Sequence, residues 1–382
     1  MTRPRILLIT RNLPPLVGGM ERLNWHMADE LSRQTSVRVI GPKGAAVLKP
    51  KGIALTEVPL KPVSLFLLTS FLQGVWLGLC WKPDVILAGS GLTAPIAWLL
   101  SKLFRARSAV YLHGFDITVN HVLYRRIWRP TFKKLDKIIV NSAPTQALAV
   151  EAGVCQTQIS IIYPGVSIPA APQPEEKITE FKKQHDLTDN KILLSVGRLT
   201  TRKGLREFVQ HALPNIVKVE PTATLLVIGE SPKQSLGASI QTMESIKAQA
   251  EKSGVSGNIK FLGVITDRDH LATAYEAADV HVFPVRCIAD DPEGFGMVAI
   301  EAAAHGVPSV AFATGGVVDA ISSGKSGLLV EPGNYSALTQ NVLAALASPE
   351  SWKIETKAFA RSFGWQSFGE QIMNVLATHK KL

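Results

Sequence analysis

The chain has 382 residues, 46% of them hydrophobic and 19% charged, which is enough for two or three domains with large cores. Its three cysteines lie far apart and show neither a disulfide framework nor a zinc-site spacing, which suits a reducing cytosol. The net charge of +10 favours anionic partners such as nucleotide phosphates, nucleic acid or the acidic face of a membrane.

Short aliphatic and β-branched runs alternate with stretches of helical length along the chain. Strands separated by helices indicate βαβ units, an α/β fold with parallel sheets, and ligand sites at the carboxyl ends of the strands. The run 5–10 is too short for the core of a secretory signal, so we expect none. The predicted strands are 5–10, 36–41, 84–89, 108–112, 137–141 and 158–162 in the first half, and 191–196, 223–228, 258–262, 280–284, 308–312 and 327–330 in the second.

The uncharged stretch Pro62–Trp81 is long enough to span a membrane. It contains glycines and several polar residues, however, and it leads directly into the predicted strand 84–89. A helix inside an α/β core has the same composition. We therefore predict a helix that is buried or grazes a membrane.

A cluster of cations interleaved with apolar residues lies between positions 124 and 137. On a helix, the two kinds of residue would separate in part onto different faces, which suits the surface of an anionic bilayer. A solvated helix covering the core is the alternative, and since no nucleic-acid-binding module is visible we expect no nucleic-acid partner. The cations are Arg125, Arg126, Arg129, Lys133, Lys134 and Lys137, and the apolar residues are Tyr124, Ile127, Trp128, Phe132 and Leu135.

Four prolines between 164 and 174, followed by charged residues, mark the one shift in composition and indicate an interdomain linker. Further on, Asp267-Arg268-Asp269 has the D-x-D form with which some enzymes hold a metal. Because it opens a predicted helix, we interpret it as an N-cap pair and predict no metal site. We interpret His281 and His305 as core or surface histidines.

Residues 293–301 carry the most informative chemistry. Glycines let the backbone approach a ligand closely, and the free N–H groups at the start of a helix suit a diphosphate. Glu301 lies about two helical turns beyond Glu293, where it can accept hydrogen bonds from ribose hydroxyls. A loop glutamate and a solvated helix glutamate are the alternative. The predicted nucleotide-binding residues here are Gly294, Phe295, Gly296, Met297 and Glu301.

This segment resembles the E-x7-E signature of glycosyltransferase family 4, which has the GT-B fold, and the resemblance extends over nearly the whole chain. It implies two facing Rossmann-like domains with a donor cleft between them. Residues 1–168 would form the acceptor domain and 169–362 the nucleotide-sugar domain. Residues 363–382, which begin with an element similar to the family's F-S/T-W, would form a helix that crosses back to the first domain.

Two further segments of the second half resemble motifs of the family, one with two cations and one with a glycine turn. Ser195–Gly204 resembles the family's G-R-L-x-x-x-K-G element, which implies that Arg198 and Lys203 clamp the donor diphosphate. Such a clamp is chemically reasonable, because fixed cations stabilise the charge of a departing nucleotide. Gly315-Gly316-Val317-Val318-Asp319 resembles the G-G-x-x-E turn but has Asp319 where Glu is usual, which leaves its backbone donors unchanged and its carboxylate contact in doubt.

In the first half, His113-Gly114-Phe115-Asp116 resembles the family's H-G-x-D turn. The resemblance implies that His113 reaches the donor sugar or the reacting centre. Asp116 would orient His113, meet the acceptor or cap the following helix. Gly18 and Gly19 lie in a segment similar to the family's first glycine loop, which meets the donor phosphates or the acceptor.

The implied activity is that of a retaining hexosyltransferase, with His113, Glu293 and Asp116 as catalytic residues and no cofactor or metal beside the nucleoside diphosphate sugar. We expect a cytoplasmic enzyme, peripheral on the inner face of the cell membrane, that glycosylates a hydroxyl of a lipid-linked or cell-envelope glycan. The alternatives are a GT-B-type epimerase or phosphorylase, a transferase with a soluble acceptor, and a non-catalytic sugar-nucleotide or membrane-binding module.

Overall fold

The structure is a computed structural model that describes residues 3–232 and 239–377 of the chain. The chain divides into two compact units, one made of Met1–Gly165 with Trp365–Leu382 and the other of Val166–Gly364. The division lies slightly before the predicted boundary at 168. From Trp365 onward, the segment predicted to cross back belongs to the first unit.

The first unit is built on a parallel sheet in which the described residues form seven strands, in the order β3-β2-β1-β4-β5-β6-β7. The sequence predicted six of them and missed β3, which lies at the edge of the sheet. Only the two ends of β3 are buried, so it lacks the continuous apolar run of a central strand. The strands are β1 (Arg5–Ile9), β2 (Ser36–Pro42), β3 (Ile53–Val58), β4 (Val85–Ala88), β5 (Arg107–Leu112), β6 (Lys137–Val140) and β7 (Ile159–Ile161).

Helices cover both faces of this sheet. Side chains of α2, α3, α5 and α6 share one buried cluster with the sheet, and side chains of α1 and α16 share the cluster on the other face. The helices are α1 (Gly19–Gln34), α2 (Val63–Trp81), α3 (Ala94–Phe104), α4 (Phe115–Thr118), α5 (Arg129–Phe132), α6 (Ala143–Glu151) and, from the end of the chain, α16 (Trp365–Ala377).

The second unit repeats this plan. Its described residues form a six-stranded parallel sheet in the order β10-β9-β8-β11-β12-β13, and all six strands were predicted. The strands are β8 (Lys191–Val196), β9 (Ala223–Ile228), β10 (Ile259–Gly263), β11 (Val280–Phe283), β12 (Ser309–Phe312) and β13 (Gly327–Val330). The helices are α7 (Glu175–Gln184), α8 (Leu205–His211), α9 (Leu213–Val219), α10 (Met243–Lys252), α11 (Arg268–Glu276), α12 (Met297–Ala304), α13 (Val317–Ala320), α14 (Tyr335–Ala347) and α15 (Lys353–Arg361).

Helix α2 is the apolar stretch for which the sequence predicted either a buried helix or a helix that grazes a membrane. Gly74 and Gly78 let it pack closely on α3, because a Cβ at either position would overlap Leu100 or Phe104. Only 28% of its most apolar window is buried. Its outer face is exposed and apolar; it consists of Leu65, Leu68, Leu72, Trp76 and Leu79. By length and composition it is the one membrane-span candidate among the described residues, while its inner face is part of the core of the first unit.

The segment with the interleaved cations is helical in two short pieces, a π-type turn at Tyr124–Trp128 and then α5. Pro130 has no N–H to donate, so a regular α-helical ladder cannot run through this point. Arg125, Arg126 and Ile127 are exposed, as are Lys133 and Lys134 just after α5.

Each sheet changes strand order at its middle, between β1 and β4 in the first and between β8 and β11 in the second. In open parallel sheets, the crevice beyond the carboxyl ends of the strands at such a switch point is where ligands bind. The loops that leave β8 and β11 carry the predicted donor-site residues Arg198, Lys203 and Glu293. The loop that leaves β1 ends at Gly18, and Gly19 begins α1.

Candidate active site

A glycine allows the loop after β8 to pack closely against the loop after β11. Gly204 has φ +67 and precedes α8, and a Cβ there would lie 2.2 Å from the carbonyl oxygen of Pro284. A side chain would therefore be strained and would also clash with backbone. The N–H of Arg286 donates to the carbonyl oxygen of Arg202 at 2.7 Å, which joins the two loops a second time.

The carboxylate of Glu293 lies between two cations of the β8 loop. Its Oε2 accepts a hydrogen bond from Lys203 Nζ at 2.7 Å and lies 3.4 Å from Arg202 Nε. All three side chains are mostly buried, with exposures of 11% for Glu293 and Arg202 and 18% for Lys203. Its other oxygen, Oε1, has no hydrogen-bond partner in the part of the chain that the structure describes.

These contacts fix the charge of the carboxylate. Burial alone would raise the pKa of Glu293, but Arg202, Lys203 and Arg198 oppose it and hold that pKa at about 2. Burial lowers the pKa of Lys203, and the Glu293 carboxylate opposes that shift. The Lys203 ammonium also lies 4.5 Å from the centre of the Phe283 ring, a cation–π contact. Glu293 is therefore ionised at neutral pH and acts only as an acceptor.

The glycine pair at 315–316 supports the same loop. The N–H of Gly316 donates to the carbonyl oxygen of Glu293 at 2.8 Å, and a Cβ on Gly316 would lie 2.0 Å from the carbonyl oxygen of Gly294. Gly296, at φ +93, is the N-cap of α12. The first N–H groups of that helix have no intrahelical acceptors, as at every helix start. The backbone donors predicted for residues 294–297 thus lie directly after Glu293, at the positive end of a helix.

The remaining predicted donor residues differ in their surroundings. Arg198 is exposed, and its side chain has no hydrogen-bond or salt-bridge partner within residues 3–232 and 239–377. Glu301 accepts a hydrogen bond from the hydroxyl of Tyr275 at 3.1 Å. The Tyr275 ring in turn stacks on His305 at 5.3 Å. Arg198 is therefore available for a diphosphate, and Glu301 is held in place from the side of α11.

Sequence reasoning gave no role to Arg202 or Asp291, although both belong to this cluster. The guanidinium of Arg202 donates through NH1 to Asp291 Oδ1 and to the carbonyl oxygen of Pro292, both at 2.9 Å. The signal was present as an Arg-Lys pair in one loop and a run of acidic residues before Glu293 in the other. Only the adjacency of β8 and β11 brings the two together.

In the first unit, His113 lies just beyond β5. Its Nε2 is 3.0 Å from the carbonyl oxygen of Gly89, and its backbone N–H donates to Asp116 Oδ2 at 3.0 Å. Asp116 therefore fixes the turn at His113 through the backbone N–H, whereas the imidazole bonds to Gly89. The N-cap of α4 is Gly114, at φ +86, so the predicted capping role does not fall to Asp116. Both side chains are buried but for 8% and 9% of their surface.

The predicted glycine loop of the first unit ends at Gly18, directly before α1. A Cβ on Gly18 would lie 2.3 Å from Oε2 of Glu21, and the other oxygen of Glu21 accepts a hydrogen bond from Asn12 Nδ2 at 2.8 Å. The Glu21 side chain therefore folds back over Gly18. Gly19 is the first residue of the helix.

Of the predicted N-cap pair in the D-x-D segment, Asp267 caps the helix and Asp269 does not. Oδ1 of Asp267 accepts the N–H of His270 at 2.7 Å at the start of α11, and Asp269 bonds to Lys177 and Gln173. Among the described residues, no group of three His, Cys, Asp or Glu side chains is arranged to hold a metal. His281 is fully buried in β11, and His305 bonds to Glu276 at 2.9 Å, which confirms the prediction of structural histidines.

Two parallel sheets, each with a switch point in its strand order, are the architecture of the GT-B glycosyltransferases, which use nucleotide sugars. The model for glycosyl transferases group 1 matches residues 177–359, and the model for glycosyltransferase family 4 matches residues 17–168. The chain therefore belongs to glycosyltransferase family 4, as its motifs predicted.

Relatives of known activity are similar over most of the chain. The GDP-mannose-dependent α-(1-6)-phosphatidylinositol monomannoside mannosyltransferase of Mycolicibacterium smegmatis is 27% identical over 355 residues, 90% of each chain. The D-inositol 3-phosphate glycosyltransferase of Corynebacterium urealyticum is 26% identical over 309 residues, 76% of this chain and 70% of that one. The crystal structure of Anabaena HepE in complex with UDP has a TM-score of 0.81 at 20% identity and covers 98% of this chain and 99% of its own.

Proposed function

We propose that this protein is a retaining glycosyltransferase that binds its nucleoside diphosphate sugar through the second unit. The observation that carries the proposal is the environment of Glu293. One oxygen of its ionised carboxylate is held by Lys203 and Arg202, while Oε1 has no partner among the described side chains. A carboxylate fixed in this way can accept hydrogen bonds from sugar hydroxyls without reorganising, which is how a preorganised site lowers a barrier.

The diphosphate would lie beside this carboxylate. Arg198 is exposed, Lys203 has two further N–H donors, and α12 begins at Met297 with unpaired backbone N–H groups. These are cations and a helix N-terminus, the two features that bind phosphate in proteins. Glu301, on the first turns of the same helix, would then accept the ribose hydroxyls. With this much fixed positive charge, no metal ion is needed to hold the diphosphate, and the proposal includes none.

For the chemical step we propose same-face transfer. A double displacement would need a carboxylate nucleophile beneath the sugar, and no residue can be assigned that role. Instead, the bond between the anomeric carbon and the phosphate oxygen breaks, and the acceptor oxygen bonds to that carbon from the same face. The acceptor's proton passes to the departing phosphate, whose charge Arg198 and Lys203 stabilise. His113 would contact a sugar hydroxyl or the reacting centre, with Asp116 holding its turn.

For the acceptor we propose a lipid-linked hydroxyl compound met at the inner face of an anionic membrane. The helices α2, α3 and α5 all lie on one face of the first sheet. The outer sides of α2 and α3 expose apolar residues, Leu68, Leu72, Trp76 and Leu103 among them, and Arg125 and Arg126 are exposed in the segment before α5. Exposed leucine and tryptophan beside cations suit the interface of a charged bilayer.

The decisive experiment is turnover by the purified protein. A thermal-shift panel of nucleoside diphosphate sugars selects the donor, because a ligand that binds only the folded state raises the melting temperature. The chosen donor is then incubated with lipid-linked and soluble acceptors, and the anomeric configuration of the product is read by NMR. An inverted product would contradict the retaining mechanism. A changed or hydrolysed donor without acceptor would indicate the epimerase alternative.

A soluble acceptor is the second candidate, and one comparison favours it. The relative from Corynebacterium urealyticum is a D-inositol 3-phosphate glycosyltransferase, whereas the relative from Mycolicibacterium smegmatis acts on a phosphatidylinositol monomannoside. Equal transfer to a water-soluble acceptor and to its lipid-linked counterpart in vesicles would support the soluble reading.

A further inference from the structure

Arg202 lies at the centre of the candidate donor site, although the proposed donor contacts do not use it. Its side chain is 11% exposed. NH1 donates to Asp291 Oδ1 and to the carbonyl oxygen of Pro292, and Nε lies 3.4 Å from Glu293 Oε2 without making a hydrogen bond. Asp291 and Pro292 therefore fix the guanidinium plane, and the remaining edge of that plane lies next to Glu293.

Lys203 has two competing partners in the proposed donor complex. In the structure, its ammonium donates to Glu293 at 2.7 Å. A bound diphosphate would attract the same ammonium through its two further N–H donors, so the charge that neutralises Glu293 would be shared with phosphate. A buried carboxylate that loses its counter-charge is strongly destabilised and tends to take up a proton. A protonated Glu293 would no longer be a carboxylate acceptor for the sugar.

We propose that Arg202 is the standing counter-ion of Glu293, a positioning residue that keeps this carboxylate charged and oriented when Lys203 turns toward the donor diphosphate. The inference rests on the proposed role of Glu293 in donor binding. Two features of Arg202 suit it to this task. A guanidinium remains protonated at any physiological pH, and its several donors let NH1 hold Asp291 and Pro292 while Nε stays next to Glu293.

The surroundings of the three cations in the β8 loop support different roles for them. Arg202 has its acidic partners, Asp291 and Glu293, within the protein, and both contacts are mostly shielded from water. Arg198 is exposed and has no such partner among the described residues. The neighbouring cations therefore differ in what they face: Arg202 faces protein carboxylates, Arg198 faces solvent, and Lys203 lies next to Glu293 with donors to spare.

The test is steady-state kinetics of Arg202→Gln over a range of pH. Without Arg202, Lys203 is the main remaining counter-charge of Glu293, so diphosphate binding competes with that pair. We expect the donor KM to rise on the order of 10- to 100-fold, the size that follows from losing one charged hydrogen-bonded contact. We also expect the acid limb of kcat, which reports the donor-bound enzyme, to move to higher pH. Arg202→Lys should recover part of both effects, since it restores the charge but not the fork.

The matched control is Arg206→Gln. It removes an arginine four positions further along the chain, which forms a partly exposed ion pair with Glu207. It should leave the donor KM and the acid limb unchanged. A purely structural role for Arg202 would lower the melting temperature and the fraction of active enzyme without moving the acid limb. If Arg202→Gln does not fold, Arg202→Lys and Asp291→Asn provide the same measurements, and an unchanged KM and acid limb in both would overturn the inference.

The outcomes separate this inference from the proposed function. If Glu293→Gln is inactive while the Arg202 variants keep the wild-type KM and acid limb, the counter-ion role is wrong and the donor site stands. If Glu293→Gln itself turns over like the wild type, the proposed function of the site fails and the inference fails with it. Direct titration with the nucleoside diphosphate alone adds a readout without turnover, and we expect weaker binding to Arg202→Gln than to Arg206→Gln.

Discussion

The ammonium of Lys203 lies 2.7 Å from the Oε2 of Glu293, although 90 positions separate the two residues in the chain. Lys203 follows β8 and Glu293 follows β11, and these strands are neighbours at the switch point of the second sheet. The topology therefore brings together a cation and a carboxylate that the sequence places in separate motifs. It also means that Lys203 is tied to a protein carboxylate as well as being available to a phosphate.

Removing either of the predicted clamp residues tests their role. We expect Arg198→Ala and Lys203→Ala each to lower kcat on the order of 100-fold, because fixed cations at the leaving group stabilise the charge that develops there. Exposed Arg198 has no structural partner among the described residues, so its variant should keep the wild-type melting temperature. Lys203→Ala should also be less stable, because it removes a counter-charge of Glu293. Wild-type turnover in both variants would rule out the clamp.

Substituting the carboxylate tests the sugar contact. We expect Glu293→Gln to lower kcat on the order of 100-fold, since an amide is a weaker acceptor than a charged carboxylate and forms no ion pair with Lys203. The measurement is single-turnover transfer with saturating donor. Glu244→Gln, at an exposed glutamate on α10, is the control and should behave as wild type. Equal rates for Glu293→Gln and Glu244→Gln would show that Glu293 does not act in the transition state.

Much of this architecture was predictable because its strands are continuous apolar runs, as buried parallel strands must be. The edge strand β3, Ile-Ala-Leu-Thr-Glu-Val, is buried only at its two ends, lacks such a run and was missed. The N-cap at Asp267 was predictable because capping depends on a local hydrogen bond. The contacts of Arg202 with Asp291 and Glu293 were not, since they depend on which strands lie side by side. Nor could the sequence show that Asp116 supports His113 through its backbone N–H.

Buried His281 should make the stability of the protein depend on pH. Burial, and then the charge of Lys203, lower the pKa of His281 to about 3 from an ordinary value of 6.5. Between these values the unfolded chain binds a proton that the folded chain does not, so the free energy of unfolding falls as the pH falls through this window. The slope from this group is about 1.4 kcal/mol per pH unit.

The measurement is urea unfolding at pH 6.5 and pH 5, above the range where Glu293 begins to contribute. We expect the loss of stability between the two pH values to be smaller in His281→Asn than in the wild type. His121→Asn, at an exposed histidine, serves as the control and should keep the wild-type difference. If His281→Asn loses as much stability as the wild type between the two pH values, the histidine is not held neutral by burial.

Chelation tests whether the diphosphate is held without a metal. We expect transferase activity to survive EDTA, because helix N–H groups and the side chains of Arg198 and Lys203 supply the positive charge. The assay compares initial rates before and after EDTA and gel filtration. Loss of activity that manganese restores would return Asp267 and Asp269 to consideration as ligands, despite their present contacts with His270, Gln173 and Lys177.

Binding to vesicles tests the proposed membrane surface. Each Lys or Arg close to an anionic surface contributes roughly 1 kcal/mol, so four together can hold the enzyme reversibly. The attraction should weaken with added salt, because screening shortens its range. We expect the wild type to sediment with vesicles that contain acidic lipid at low salt, and the quadruple variant Arg125/Arg126/Lys133/Lys134→Ser to remain in solution.

A second quadruple variant controls for the loss of four charges as such. Lys183, Lys218, Lys252 and Lys325 are exposed lysines of the second unit, so replacing them with Ser lowers the net charge equally without touching the proposed surface. This control should sediment like the wild type, because attraction within a Debye length depends on where the charges lie. If both variants lose binding to the same extent, the attraction is only that of a basic protein. If neither loses it, or if the wild type ignores acidic lipid, the segment around Arg125 is a solvated face and the acceptor is sought among soluble sugars.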